Sequence, residues 1–413
     1  MTLLILTALP AVGALNNSYE VKNPVEPRDV VWYKTYGGSD YDLSGTVLQT
    51  NDGGYILCGE TASYGAQGWD ALVVKTDADG NEEWHKIYGG VAEFDFLVFV
   101  QQTNDGGYIF TGATYSFGAG LQDAWVLKTD ADGNEEWNKT YGGTNYDWGW
   151  RGWPTTDGGY IIAGGTVSFG TDNLDFWLIK TDADGNEEWN KTYGGSSFEY
   201  LTGMIIVDDG YILVGYAVPG TIFGKAFTWL VKTDFDGNKL WGKAICGSRR
   251  HNAATDIKQT GDGGYIICGE SVDFGFFLSE FFFYMGGDMW LVKTDADGNM
   301  EWENQFGGKY LEDGSRGVEL TDDGGYLIAG FNKGFGSVIK QAQMGPIFSK
   351  IWLVKTNADG NKTWEREYSR GMCWWIDKTT DGGYIVSGGT KPHGLGDAFL
   401  LKIDTNFYNI NGV

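Results

Sequence analysis

Five of the seven arginines in this chain, Arg151, Arg249, Arg250, Arg316 and Arg370, fall in or just after segments of one recurring kind. A guanidinium fork pairs well with carboxylate, sulfate or phosphate. Arginines converging on one mouth would bind an anion, such as an acidic glycan. The plainer reading pairs each with a neighbouring Asp or Glu. A second set is carboxylate: Asp42, Asp95, Asp147, Glu199 and Glu312 recur at nearly one place, with His251 in a sixth slot. A ring of such oxygens would suit Ca²⁺. Alternatively, each carboxylate caps backbone N–H groups of its own loop. No other cofactor is indicated. The third set is aromatic. Between Ser271 and Asp288 stand six Phe and one Tyr, among them Phe276, Phe281, Phe282 and Tyr284. With Val218–Phe223 and Phe331–Phe348, this stretch forms either an apolar docking patch or loops folded over one another.

Signals for catalysis are poor. The three histidines, His85, His251 and His393, share no place in the repeat. There is no Gly-x-Ser-x-Gly elbow, phosphate loop or His-Glu-x-x-His. The turn Asp77-Ala-Asp79-Gly80-Asn81 has calcium-like acids, but its glycine stands fourth rather than sixth as in an EF-hand loop.

What must position these residues is a repeat. The phrase Trp177-Leu-Ile-Lys-Thr-Asp-Ala-Asp-Gly-Asn-Glu-Glu-Trp189 reads as strand, tight turn and strand, and it recurs with ends at Trp84, Trp137, Trp241, Trp302 and Trp364. A second landmark, Asp-Gly-Gly-Tyr, ends at Tyr55, Tyr108, Tyr160, Tyr265, Tyr326 and Tyr384, and is shortened at Tyr211. Units of this length with several strands each indicate a propeller. One blade cannot bury both faces alone, so neighbours stack and the ring must close. The expected fold is all-β: a seven-bladed propeller of four-stranded antiparallel blades. The last blade lacks its outermost strand at the C-terminal end. Val31–Tyr36 matches that strand and should complete it.

The repeat also separates scaffold from candidate function. Tryptophans 32, 84, 137, 189, 241, 302 and 364 recur in every blade and read as inter-blade packing. Lysines 75, 128, 180, 232, 293, 355 and 402 also recur, each with an acid or amide two residues on. They read as a structural pairing. The two turn types share one face of the disc. The variable loops, with the arginines and phenylalanines, share the other.

The formal net charge is −25 and Gly numbers 65. Such acidity repels nucleic acid and anionic membranes, leaving a protein or a polysaccharide as the expected partner. Residues 1–14 read as a signal-peptide-like segment ending Val12-Gly-Ala14, 15–29 as a linker and 30–413 as the propeller. No mature segment reads as membrane-inserting. Sequons begin at Asn16, Asn138, Asn190 and Asn361, as suits an exported glycoprotein. Cys58, Cys246, Cys268 and Cys373 show no zinc spacing and read as free thiols.

With these motifs in view, the chain resembles the secreted β-propeller repeat proteins of archaea and bacteria, whose units read Tyr-Gly-Gly, Asp-Gly-Gly-Tyr-Ile, Trp-Leu-Val-Lys-Thr-Asp and Gly-Asn-x-x-Trp. The resemblance covers residues 30–404. It implies the fold and a secreted or cell-surface location, and little about activity. The Gly pairs are distantly similar to kelch repeats, and the Asp-x-Asp-Gly-Asn hairpin to the Asp-box of sialidases, with its glycine one place early. Tyr368-Ser-Arg370 and Cys246 depart from the unit. The leading expectation is a non-enzymatic, secreted or surface-structural protein that binds a macromolecule through the loops of blades four to six. The alternative is a lectin or carbohydrate-active enzyme for acidic glycans, using the arginines at the channel mouth.

Overall fold

The computed structural model describes residues 28–64, 68–91, 94–171, 173–219, 225–249, 251–278, 281–307, 312–333, 349–390 and 396–404, with backbone alone at 273–278, 281–286, 312–313, 333 and 369–370. Within them, 28 strands in chain order form seven antiparallel sheets of four. Blade one shows the plan: β2 (Asp42–Gln49), β3 (Tyr55–Thr61), β4 (Asp70–Thr76) and β5 (Glu82–Tyr88), hydrogen-bonded in that order from the axis outward.

The strands are short because the turns are strongly specified. In the first turn Asp52 accepts from Thr50 Oγ1 and from the Gly54 amide, the latter at 2.9 Å. Gly53 stands at φ +88°, a region open to glycine. In the second turn Asp77 accepts from the amides of Asp79 and Asn81, at 2.9 and 2.8 Å. Lys75 therefore does not pair with the acid two residues on, as its spacing suggests. Its Nζ lies buried and reaches Asp52 and Glu83, both at 2.8 Å, and the Thr76 carbonyl at 2.9 Å. One ammonium thus joins both turns of a blade. Lys128, Lys180 and Lys293 repeat the arrangement.

Between blades the recurrent contact is the outer-strand tryptophan. Trp32, Trp84, Trp137, Trp189, Trp241 and Trp302 lie so close over Gly80, Gly133, Gly185, Gly237, Gly298 and Gly360 of the next blade that a Cβ at any of these glycines would stand under 3 Å from an indole. Trp32, Trp137 and Trp302 also meet Tyr55, Tyr160 and Tyr326 of the next blade edge-on or tilted, with ring centroids 5.6–6.0 Å apart. A tyrosine hydroxyl adds a polar clasp. Tyr36, Tyr141 and Tyr193 donate to the carbonyls of Gly80, Gly185 and Gly237 at 2.6–2.7 Å.

The ring closes as the repeat predicts. β1 (Val30–Tyr36) pairs with β28 (Ala398–Ile403), giving the sheet order β1-β28-β27-β26, with β27 at Tyr384–Gly389 and β26 at Met372–Lys378. Asp29, at the end of the segment read as linker, is buried. Its carbonyl accepts from the Asp404 amide at 2.8 Å, and its carboxylate accepts from the Tyr368 hydroxyl at 2.6 Å. Asp29 thus stands where the other blades present a turn carbonyl.

Deleting residues 28–38 removes a whole strand and uncovers the faces of blades six and one that it packs against. Thermal unfolding should show the melting temperature lowered by roughly 10 °C or more. An unchanged value would refute closure through β1.

Candidate functional site

The innermost strands surround the axis: β2, β6 (Asp95–Gln102), β10 (Asp147–Pro154), β14 (Ser197–Val207), β18 (His251–Gln259), β22 (Glu312–Leu320) and β26. Each carries a register shift at one place, after Ser44, Leu97, Gly149, Leu201, Ala254, Ser315 and Cys373. A bulge of this kind re-aims side chains and lets two successive residues face one way. Here both line the axis: Gly45 and Thr46, Trp150 and Arg151, Trp374 and Trp375.

The result is a cavity of about 700 Å³ opening towards the variable-loop face. Its walls are mainly apolar: Leu43, Phe94, Phe96, Leu97, Val98, Trp150, Tyr200, Leu201, Tyr216, Trp374 and Trp375, interrupted by Glu60, Arg151 and Arg316. Tyr200 and Tyr216 stack at 5.0 Å with an interplanar angle of 13°. The hydroxyls of Thr46, Thr202 and Thr255 are already bonded to the carbonyls of Val98, Ala254 and Ser315.

Arg151 is 8% exposed. Its guanidinium lies 4.8 Å from the Trp375 ring centroid and 5.2 Å from that of Phe99, and its Nη1 donates to the Trp150 carbonyl at 3.0 Å. Among the described residues no carboxylate stands within ion-pair distance of it, and burial pulls its pKa down. Arg316 sits over Trp374 at 5.0 Å and is paired with Glu270 at 2.9 Å. Glu60 lies at the mouth, opposite Leu43 in the β2–β3 register. Burial pushes its carboxyl up to about 7, and no described cation pairs with it.

Below the cavity the axis is filled. Phe99 meets Trp153 at 4.7 Å and Trp375 at 5.8 Å. Deeper still, Lys258 pairs with Glu319 at 2.5 Å. Asp256, at the register place of Arg151 and acting on its charge, accepts from the Val318 amide at 3.1 Å. Burial raises Glu319 to about 7 and Asp377 to about 6, and the surrounding carboxylates keep Lys258 charged.

The sequence-predicted arginines do not gather as one ring. Arg151 and Arg316 share the cavity. Arg249 is held in its own blade by Asp288 and the Ser271 carbonyl. Arg250 lies outside the described residues. Arg370 ends β25 (Lys362–Arg370), and only its backbone is described. The carboxylates do not converge on a metal either. Asp42 accepts from the Gly38 amide at 2.8 Å, from Ser63 at 2.9 Å and from Thr61. Asp95 and Asp147 repeat this set within their own blades. Glu199 is buried, raised to about 7 by desolvation. Among the described residues no group of three His, Cys, Asp or Glu could hold a metal ion. The register also corrects two slots. Asn252, not His251, stands opposite Ser271 and accepts from its hydroxyl at 3.0 Å. Asp313, not Glu312, holds the corresponding position opposite Asn332.

The aromatic stretch of blade five is not a loop but a hairpin. β19 (Tyr265–Leu278) and β20 (Phe281–Thr294) have fourteen residues each, against seven in β3 and β4, and Phe276, Phe281, Phe282 and Tyr284 pair with Phe283, Leu278, Phe277 and Gly275. Their side chains lie outside the described set.

Loop-centred reasoning missed Glu60, Trp150, Tyr200, Tyr216, Trp374 and Trp375. A signal existed. Gly45, Val98, Trp150, Thr202, Thr255, Arg316 and Trp374 occupy one place in the repeat and comprise five residue types, where the scaffold positions keep one.

No family model matches this sequence, and no curated protein matches it. A solved structure, described as that of a Dos1 propeller, aligns with 90% of this chain and 94% of its own at 9% identity and a TM-score of 0.49. The architecture rests on this chain's own seven sheets rather than on that likeness.

The shifted carboxyl groups give stability a definite pH dependence. Glu60, Glu199, Glu319 and Asp377 have folded pKa values raised to about 6–7 by burial. The folded state therefore holds more protons than the unfolded chain between about pH 4 and pH 7, and stability rises as pH falls through that window. Asp52, Asp105, Asp157, Asp323 and Asp381 are lowered to about 2, against the desolvation they suffer, by hydrogen bonds from their lysine and threonine partners. Their contribution fades only below about pH 4 and is gone near pH 2. Calorimetry should find a higher melting temperature at pH 5 than at pH 8. Glu319→Gln should reduce that slope, which separates it from the general relief of repulsion in an acidic chain. A melting temperature that falls from pH 8 to pH 5 would contradict the assignment.

Proposed function

We propose that this protein is a binding propeller whose partner docks on the variable-loop face and anchors in the axial cavity through an anionic group carried on an apolar body. The observation behind this is Arg151. A guanidinium carries five N–H donors, and burying its charge is costly unless it is paired. Here it lies in an apolar cavity with one carbonyl and two aromatic faces, and the charge of Asp256 reaches it without forming an ion pair. A ligand carboxylate would supply the missing partner.

The anion-binding part of the glycan reading is supported by this placement. Its sugar part is not, because glycan hydroxyls need many free hydrogen-bonding groups, and the threonines here are already bonded. A binding role is favoured over catalysis because Glu60 is the one carboxyl among the described lining residues, whereas glycoside hydrolysis takes two. Of the two expected macromolecular partners, a protein suits this face better than a polysaccharide, and the long β19–β20 hairpin would add to the docking surface. We place the protein outside the cell or on its surface, as the apolar segment 1–14 and the exposed sequon asparagines Asn138 and Asn361 suggest.

The test is calorimetric titration with 3-phenylpropionate and its methyl ester. The acid should bind about tenfold tighter than the ester, and Arg151→Met should abolish that preference. Equal binding of acid and ester by the native protein would overturn the reading.

A further inference from the structure

Glu60 faces the same cavity as Arg151 and offers the opposite charge: burial favours its protonated form, and an ammonium placed beside it would draw it into the ionised one. It lines a mainly aromatic mouth and has no cation beside it among the described residues. The surrounding rings are well placed for a cation. Tyr41, whose own pKa Glu60 helps to raise to about 12, lies 4.6 Å from Trp69. Trp69 lies 5.8 Å from Phe94, and Phe94 lies 5.3 Å from Phe96. Phe94, Phe96 and Glu60 all border the cavity. A carboxylate set among aromatic rings is the chemistry that holds an ammonium: the ring quadrupoles attract the charge and the acid neutralises it.

The two groups also differ in depth. Glu60 is paired with Leu43, whereas Arg151 follows the bulge at the register place of Thr46, three residues further along the inner strand. That separation is roughly 7–10 Å along the axis at strand rise. An extended chain of two or three residues spans about the same length.

We propose that the axial cavity binds a zwitterion end to end, its carboxylate at Arg151 and its primary ammonium at Glu60, with a short apolar peptide as the ligand of fitting length. This rests on the anion reading of Arg151 given above and adds the second pole. Side chains of such a peptide would lie against Trp150, Trp374 and the stacked Tyr200–Tyr216 pair. The peptide is held by its ends, so the sparse free hydroxyls of the wall are no obstacle to that recognition.

The probe is the tripeptide Phe-Leu-Phe, titrated calorimetrically against the full chain beside its N-acetyl form, its C-terminal amide and free phenylalanine. The free tripeptide should bind about tenfold or more tighter than either blocked form. Glu60→Gln should remove the preference over the N-acetyl peptide and keep the preference over the amide; Arg151→Met should do the reverse. Both variants are checked by thermal unfolding, and the native protein's ranking of the four ligands decides the matter if either fails to fold. Binding that needs the free carboxylate but tolerates N-acetylation would overturn the ammonium site and leave the anion reading standing. Binding indifferent to C-terminal amidation would overturn both. No binding of any peptide would also reject the proposal. Free phenylalanine binding as tightly as the tripeptide would uphold both poles with a single amino acid as occupant.

Discussion

The contact on which the rest of the structure depends is an indole of one blade lying on a glycine of the next. A four-stranded blade has two apolar faces and is stable only if both are covered. Trp137 illustrates how that cover is enforced. It lies over Gly185, whose φ of +74° belongs to the Asp-Ala-Asp-Gly turn, and it meets Tyr160 of the Asp-Gly-Gly-Tyr turn. One side chain therefore touches both turn signatures of its neighbour. A residue with a Cβ at position 185 would be strained in backbone and would collide with the ring. The buried lysine fixes the same two turns to each other from within the blade. Turn geometry, blade spacing and ring closure thus become one condition, repeated around the disc and completed where Trp32 reaches Gly80.

With the rim fixed in this way, the centre is free to vary. The inner strands keep one bulge each, and this bulge is scaffold because it recurs. The residues it turns towards the axis differ widely between blades. Thr46, Phe99, Arg151, Gly203, Asp256, Gly317 and Trp375 hold one register place and range from a glycine to a tryptophan. A rigid ring can carry such mixed contents because its stability comes from blade-to-blade packing. The axial side chains are then selected for one another and for what enters.

The sequence revealed the parts governed by repetition. Blade number, strand order, the seven tryptophans and the closing strand were all legible because each recurs or completes a recurrence. The lysine partner was not legible, because Asp77 is nearer in sequence to Lys75 than Asp52 or Glu83, and only the turn's own hydrogen bonds show that Asp77 is occupied. The carboxylate slot was misplaced by one residue in blades five and six, where His251 and Glu312 precede the positions held by Asn252 and Asp313. The cavity was hidden by the bulge. Simple alternation sends Trp374 and Trp375 to opposite faces of a strand, and a register shift is needed to put both on the axis. The blade-five phenylalanines read as a loop because they form a long insertion at a variable-loop position of the repeat. They are instead paired strand, as β-favouring aromatics permit.

The charge of the whole molecule bears on what can enter the cavity. A net charge of −25 spread over the turns sets a negative potential around the disc, which slows the approach of any anion. Arg151 would offset that only at short range, within a wall of low polarity where its field is weakly screened. A ligand of purely anionic character would thus be repelled on approach and attracted only on arrival. A zwitterion of zero net charge meets no such barrier. In the cavity each end finds its own counter-charge, Glu60 at the mouth and Arg151 at depth, and the complex buries no unpaired ion. The acidic exterior and buried Arg151, which has no ion-pair partner among the described residues, pull against each other for a simple anion and are compatible for a ligand carrying both signs.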